Sequence, residues 1–238
     1  MIQYNAEAFQ NGQILLIDKP LHWSSFQAVN KIKWLLKKHF DLKKIKVGHA
    51  GTLDPLASGL LIICTGKSTK QISELQGQIK EYTGTITLGG TTPSYDLETE
   101  IDQTFPTEHI TEVILDEARL SFMGTTEQRP PIFSALKKDG KRLYEHARKG
   151  EEVEIATRPI TIEEFELTKT ELPNVDFRVV CSKGTYIRSL AYDFGHKVNS
   201  GAHLSALRRT KIGDFDVINA VTPEEFEEQV LKAIAQDN

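Results

Sequence analysis

The chain has 238 residues, with 29 Lys and Arg against 33 Asp and Glu, and carries a formal net charge of −4 with its histidines neutral. This length holds one large domain or two small ones, and the apolar and charged fractions are those of an ordinary globular protein, which excludes a disordered or fibrous chain. No run approaches the roughly eighteen apolar residues of a membrane span, and the start Met1-Ile2-Gln3-Tyr4-Asn5 lacks the basic and apolar segments of a secretory signal.

In chain order, residues 13–17 read as a buried strand, and Ser24 or Ser25 caps a helix running to about Lys38 with Phe26, Val29, Ile32 and Leu36 on its apolar face. Residues 60–64 form a short buried strand. Residues 81–88 alternate Tyr82, Gly84, Ile86 and Leu88 with three threonines, the pattern of a half-buried strand. Ile110, Val113, Ile114, Ala118 and Phe122 have helical spacing. Val175, Phe177 and Val179 alternate in a strand leading to Lys183-Gly184, after which Ile187, Leu190, Ala191, Phe194 and Val198 mark another helix. A last helix, amphipathic and acidic, spans about 223–235. Several strands are neighbours in sequence, which predicts an α+β fold rather than a doubly wound one. Cys64 and Cys181 each lie in an apolar run and read as buried thiols of a reducing compartment, so the expected location is the cytoplasm.

The charges are segregated. Lys31, Lys33, Lys37, Lys38, Lys43, Lys44 and Lys46 crowd one segment. Lys137, Lys138, Lys141, Arg142, Arg148 and Lys149 crowd a second, and Arg208, Arg209 and Lys211 a third. Acidic residues gather elsewhere, at 151–154, 163–164 and 224–228. A chain charged in this way presents basic faces to phosphates despite its negative total.

The most informative segment is Gly48-His49-Ala50-Gly51-Thr52-Leu53-Asp54-Pro55-Leu56-Ala57-Ser58-Gly59. It is too rich in glycine for a helix. Pro55 fixes its own φ and pushes Asp54 toward extended geometry. The apolar strand that follows anchors the loop. A restrained carboxylate on a rigid support is how a nucleophile is presented, although a bare Leu-Asp-Pro is usually only a turn.

Read whole, this segment resembles the active-site motif of the bacterial tRNA pseudouridine-55 synthases, the TruB family of pseudouridine synthases. Three further segments resemble the family's other motifs in the family's order: Leu15-Leu16-Ile17-Asp18-Lys19-Pro20, Lys80-Glu81-Tyr82, and Cys181-Ser182-Lys183-Gly184-Thr185-Tyr186-Ile187-Arg188. The matches run from about residue 13 to about residue 213. The resemblance implies the pseudouridine synthase fold, a long, mixed, mostly antiparallel sheet flanked by helices with a central active-site cleft. It implies a single catalytic domain over 1–238 with residues 124–150 as a basic thumb-like insertion. Relatives often carry a C-terminal PUA domain, and the short stretch after Gly213 leaves no room for one here.

The implied activity is isomerisation of uridine 55 in the tRNA T-loop to pseudouridine, by base flipping and an aspartate nucleophile, with no cofactor and no metal. By resemblance the catalytic residues are Asp54, Arg188 as its ion-pair partner, and Tyr82 stacked on the uracil. Asp54 attacks either the sugar or the base. The substrate-binding residues are His49, which fills the emptied stack, then Lys19, Pro20 and Tyr186 near the pocket, and Lys137, Lys138, Lys141 and Arg142 on phosphates. A guanidinium beside Asp54 keeps a carboxylate ionised in a desolvated pocket. The expected partner is tRNA, gripped at the T-arm and elbow by a monomer that needs neither a membrane nor an obligatory protein partner.

Other readings are weaker. Thr65-Gly66-Lys67-Ser68 resembles the end of a phosphate-binding loop, but Leu61 stands where that pattern needs a glycine. His49, Asp54 and Cys64 fit no common zinc spacing. A non-catalytic RNA-binding protein has no use for a restrained nucleophile, and a guide-RNA-dependent role fits a chain without the extra domain poorly.

Overall fold

The structure, a computed structural model, describes residues 2–134, 136–138, 140–151 and 153–236. Ala135 and Asp139 of the basic insertion, Glu152 of the acidic run and Met1 of the N-terminus lie outside the described residues. The chain runs through α1 (Ala6–Asn11), β1 (Ile14–Lys19), α2 (Ser25–His39), β2 (Val47–His49), β3 (Ala57–Thr65), α3 (Ile72–Gly77) and β4 (Lys80–Leu88). Then come β5 (Gly90–Thr91), β6 (Gln103–Thr104), α4 (Glu112–Ser121), β7 (Gly124–Gln128), β8 (Lys137–Lys138), β9 (Lys141–Arg142) and α5 (Leu143–Ala147). The chain finishes with β10 (Arg158–Glu171), β11 (Asn174–Cys181), α6 (Ile187–Lys197), β12 (Ala202–Ile212), β13 (Phe215–Asp216) and α7 (Pro223–Gln236). It divides into two compact units, Met1–Glu81 with Arg208–Asn238, and Tyr82–Leu207, so the boundaries fall inside β4 and β12.

In the first unit β3 is central. It pairs antiparallel with β1 from Ile14↔Cys64 to Lys19↔Gly59, pairs with β2 near its end, and lies beside the 208–212 part of β12. A strand covered on both faces reads as a continuous apolar run. Successive side chains of β3 accordingly serve two cores. Leu61 and Ile63 pack with Leu15, Ile17, the inner face of α2, and Phe226 and Val230 of α7. Leu60, Ile62 and Cys64 pack with Ala50, Leu75 and Ile212 on the other face. Burial pushes the Cys64 thiol up to about 11, so it is inert packing.

Helix α2 begins where the sequence predicts. Ser24 and Gln27 form a reciprocal capping box, with Gln27 N–H donating to Ser24 Oγ at 3.2 Å and Ser24 N–H to Gln27 Oε1 at 2.8 Å. Its buried face is Ser25, Ala28, Val29, Ile32, Leu35 and Leu36. Phe26 is a correction: expected in the core, it is 70% exposed. At 100° per residue it stands about 120° from the centre of the buried stripe, and Leu35 takes its place.

In the second unit the strand order is β4-β11-β10-β7, with the 202–207 part of β12 on the other side of β4. The registered pairs are antiparallel, and an isolated parallel bridge joins Asp96 to Leu204. Tyr82, Ile86 and Leu88 are buried in alternation along β4, as predicted. The sheet packs on α6 through Phe165, whose ring centroid lies 6.1 Å from that of Phe177 and 5.9 Å from that of Phe194. Val113, expected on the inner face of α4, is exposed, whereas Ala118 is buried as expected and Leu115 joins it. The α+β class expected from neighbouring strands is the class observed.

Gly59 has φ of +103°, and a Cβ built on it would lie 2.3 Å from the carbonyl oxygen of Arg209 on the adjoining strand. Gly59→Ala should therefore lower the unfolding free energy by about 2 kcal/mol or more. Urea denaturation of the purified protein measures this, and an unchanged midpoint would show that the two strands separate without strain.

Candidate active site

The Asp54 loop is held by side chains on both of its flanks. Ser25 Oγ accepts from Leu53 N–H at 2.8 Å and donates to Leu53 C=O at 2.9 Å. On the other side of Asp54, His22 N–H donates to Pro55 C=O at 2.8 Å, and Ala57 N–H closes a turn onto Asp54 C=O at 3.1 Å. Arg209, 1% exposed, enters from β12 and donates to the carbonyls of Leu60 at 2.8 Å, Gly51 at 3.1 Å and Thr52 at 3.5 Å. Leu53 is buried while Asp54 keeps partial solvent access. The backbone is fixed and its one carboxylate is presented.

Lys19 is fully buried behind this loop. Its ammonium donates to the carbonyls of Pro20 at 2.9 Å and Trp23 at 2.6 Å. Burial pulls its pKa down to about 8. The Asp54 and Asp18 carboxylates act against that shift, and the Arg209 charge acts with it. Asp18 itself is gripped by both terminal nitrogens of Arg208, at 3.0 and 2.6 Å. Lys19 and Pro20 thus build the wall of the loop from within. His49 ends β2 and is partly buried. Burial, with the Arg209 charge acting the same way, holds its imidazole below the ordinary histidine value.

The other sequence-predicted residues belong to the second unit. Tyr82 is buried at the start of its part of β4. Tyr186 is the N-cap residue of α6, pinned by Gln128, whose side-chain amide accepts from its N–H at 2.8 Å and donates to its C=O at 3.0 Å. The Arg158 guanidinium lies 4.7 Å from the Tyr186 ring centroid and donates to Gly184 C=O. Arg188 stands in the first turn of α6 and is 4% exposed. Its terminal nitrogens donate to Ser94 C=O at 3.1 Å and Phe133 C=O at 2.9 Å, and its Nε lies 3.6 Å from the Asp96 carboxylate.

Lys137, Lys138, Lys141 and Arg142 form the two-stranded ribbon β8–β9, in which Lys137 faces Arg142 and Lys138 faces Lys141. Like charges directly opposite one another repel, and Lys138 turns its ammonium to the Glu154 carbonyl at 2.6 Å.

Sequence reasoning missed Arg158 and Asp96, took Ser25 only for a helix cap, and set Arg209 in a phosphate-facing basic cluster, whereas its guanidinium is buried on loop carbonyls. Asp96 closes the polar run Thr91-Thr92-Pro93-Ser94-Tyr95-Asp96, and Tyr95 within it takes a left-handed φ of 65°. That run was the available signal, but a lone Asp in a polar loop has the look of any turn.

Two family models match consecutive parts of the chain: TruB family pseudouridylate synthase (N terminal domain) over residues 37–187, and tRNA pseudouridylate synthase B C-terminal domain over residues 188–238. The tRNA pseudouridine synthase B of Flavobacterium johnsoniae is 69% identical over 225 residues, 94% of this chain and 98% of that protein. That of Phocaeicola vulgatus is 56% identical over 220 residues, 92% and 94% of the two chains. Among solved structures, a Cbf5-Nop10-Gar1 complex matches with a TM-score of 0.70 at 28% identity, over 95% of this chain and 58% of that one. An H/ACA RNP bound to a substrate RNA containing 2'-deoxyuridine matches with a TM-score of 0.67 at 27% identity, over 92% and 53%. The chain thus spans little more than half the length of these two solved chains, and the expected pseudouridine synthase fold is borne out.

The Lys19 environment has a consequence in solution. Its pKa is near 8 folded and 10.5 in the ordinary state, so between those values the unfolded chain binds more protons. Stability from this group therefore rises as pH climbs through that window and is flat below it. Denaturation midpoints of wild type and Lys19→Met, compared from pH 7 to pH 10, should diverge in favour of wild type as pH rises. Parallel curves would mean that the ammonium is as well solvated folded as unfolded.

Proposed function

The chain belongs to the TruB family of pseudouridylate synthases, and we propose that it isomerises uridine 55 in the T-loop of tRNAs to pseudouridine. The observation that carries this reading is the Asp54 loop: its backbone is tied down on both flanks by Ser25, His22 and Arg209, while Asp54 itself keeps partial solvent access. The reaction breaks the N1–C1′ bond, turns the uracil, and joins C5 to C1′. The C5 proton leaves and N1 regains one, so atoms balance without a cofactor. Asp54 is the nucleophile, on either the sugar or the base. Hydrolysis of a glycosidic bond usually needs two carboxylates that manage a water, whereas isomerisation needs one and a dry pocket.

The other residues take roles that suit their surroundings. Arg188 is the cationic partner of Asp54, its fork oriented by Ser94, Phe133 and Asp96. Tyr82 stacks on the uracil, and Tyr186 lines the same pocket. His49 fills the stack left by the everted base, at a flipping cost of a few kcal/mol, and a neutral imidazole suits that apolar position. Lys19 and Pro20 support the loop. Residues 124–150 serve as the thumb, with Lys137, Lys138, Lys141 and Arg142 on phosphates. Among the described residues no helix is long and apolar enough to cross a membrane. The enzyme works in the cytoplasm as a monomer on tRNA, with no obligatory protein partner.

Incubation of unmodified tRNA with the protein, followed by single-nucleotide mapping of pseudouridine, should give one site in the T-loop. Asp54→Asn should reduce turnover by more than about a thousandfold and leave tRNA affinity nearly unchanged. A site elsewhere, or turnover surviving in the variant, contradicts the proposal.

Arg188→Lys should lower kcat about a hundredfold with little change in KM, because a point charge replaces an oriented fork and misplaces its partner. Steady-state kinetics that show a rise in KM alone would make Arg188 a binding residue instead.

A further inference from the structure

The outer face of α2 has no task in the reading above. Phe26 is 70% exposed and Trp34 48% exposed, both large apolar groups in water. At 100° per residue, Lys33, Phe26, Lys37, Asn30 and Trp34 fall within about 100° of one another around the axis, and the two aromatics are about 12 Å apart along it. Lys38 Nζ lies 4.6 Å from the Trp34 ring centroid. The Trp34 edge of the face borders helix α7: Lys31 Nζ lies 5.2 Å from the Trp34 ring centroid and pairs with Glu227 at 2.5 Å. Lys33, Lys37 and Lys38 make no ion pair among the described residues.

The face begins next to the proposed nucleophile. Phe26 follows Ser25, the residue whose hydroxyl clamps Leu53 beside Asp54. Interaction of basic last-turn residues with the helix dipole accounts for Lys37 and Lys38, and the lysine stems partly shield Trp34. Neither accounts for Lys33 or for an open phenylalanine in the first turn. Aromatic plates interleaved with cations are the chemistry that takes nucleobases and phosphates of an unpaired strand.

We propose that this face of α2 is a second RNA-contacting surface, on which Phe26 and Trp34 stack bases and Lys33 and Lys37 hold phosphates of the substrate strand that adjoins the nucleotide delivered to Asp54. This rests on the proposed function and extends it to a surface outside the catalytic loop and the thumb.

The test is filter binding of unmodified tRNA across a salt series, with pseudouridine formation by wild type followed in parallel. Phe26→Ser/Trp34→Ser should weaken binding about tenfold or more with an unchanged salt slope. Phe26→Tyr/Trp34→Phe should bind within about twofold of wild type. Lys33→Gln/Lys37→Gln should make the log–log salt slope shallower by about 2. Thermal unfolding reports whether each variant folds. Should the serine pair fail to fold, the glutamine pair decides, and an unaltered slope there overturns the proposal. Wild-type binding in both sets also overturns it. If wild type forms no pseudouridine, the proposed function falls, while the same binding measurements still decide the RNA surface.

Discussion

The side-chain hydrogen bonds that hold the backbone of residues 51–60 are the constraint on which the site depends. A glycine-rich loop has many conformations, and fixing each residue costs roughly 1–2 kcal/mol of backbone entropy. The chain meets this with a buried guanidinium on three loop carbonyls and a buried hydroxyl on both polar groups of Leu53. Both devices reach in from elements already fixed by large cores, α2 on one side and β12 on the other. Gly59 completes the arrangement, since its missing side chain lets β3 approach the Arg209 backbone. Removal of any of these would free the loop without touching the carboxylate.

The same buried charges set the electrostatics of the loop. Arg209 satisfies its donors with carbonyls, so its charge is solvated by dipoles and its field persists. That field acts on Lys19 and on His49 in the same direction, favouring their neutral forms. Lys19 has an opposing neighbour in Asp54, which is why its ammonium is depressed rather than abolished. Arg188 follows a parallel logic in its own unit, where it joins the loop carrying Ser94 and Asp96 to the backbone of Phe133. A residue given a catalytic role is thereby also a joint between segments far apart in sequence.

The legible parts of the sequence were those in which one local rule sufficed. The capping box at Ser24 and Gln27, the apolar run of β3, the alternation of β4 and the helical spacing after Ile187 each predicted an element within a few residues. Strand β10 escaped because register shifts near Ile162 and Leu167 break its period of two. Strand β12 escaped because its buried positions do not alternate and one of them, Arg209, is a residue that pattern reading assigns to the surface. Phe26 and Val113 were misplaced inward for the converse reason: hydrophobicity at a permissible spacing is taken as burial, whereas only packing partners decide it. Asp54, Tyr82 and Arg188 stood out through a resemblance of whole motifs. Asp96 and Arg209 did not, since their importance lies in what they touch.

Phe26 and Val113 are not equivalent exceptions. An isolated exposed valine needs no account, because most protein surfaces carry scattered apolar groups. Phe26 shares its helix face with Trp34 and with lysines, and the Lys31–Glu227 pair to α7 borders that face at Trp34, away from Phe26. The total charge of −4 is no guide to such a surface. At physiological ionic strength fields decay over about 8 Å, so a phosphate beside Lys33 and Lys37 responds chiefly to them, while Glu227, already paired with Lys31, acts on the Trp34 edge. The segregation of charge, rather than its sum, is what makes an acidic protein able to hold RNA, and an aromatic pair on the basic side adds an attraction that salt does not screen.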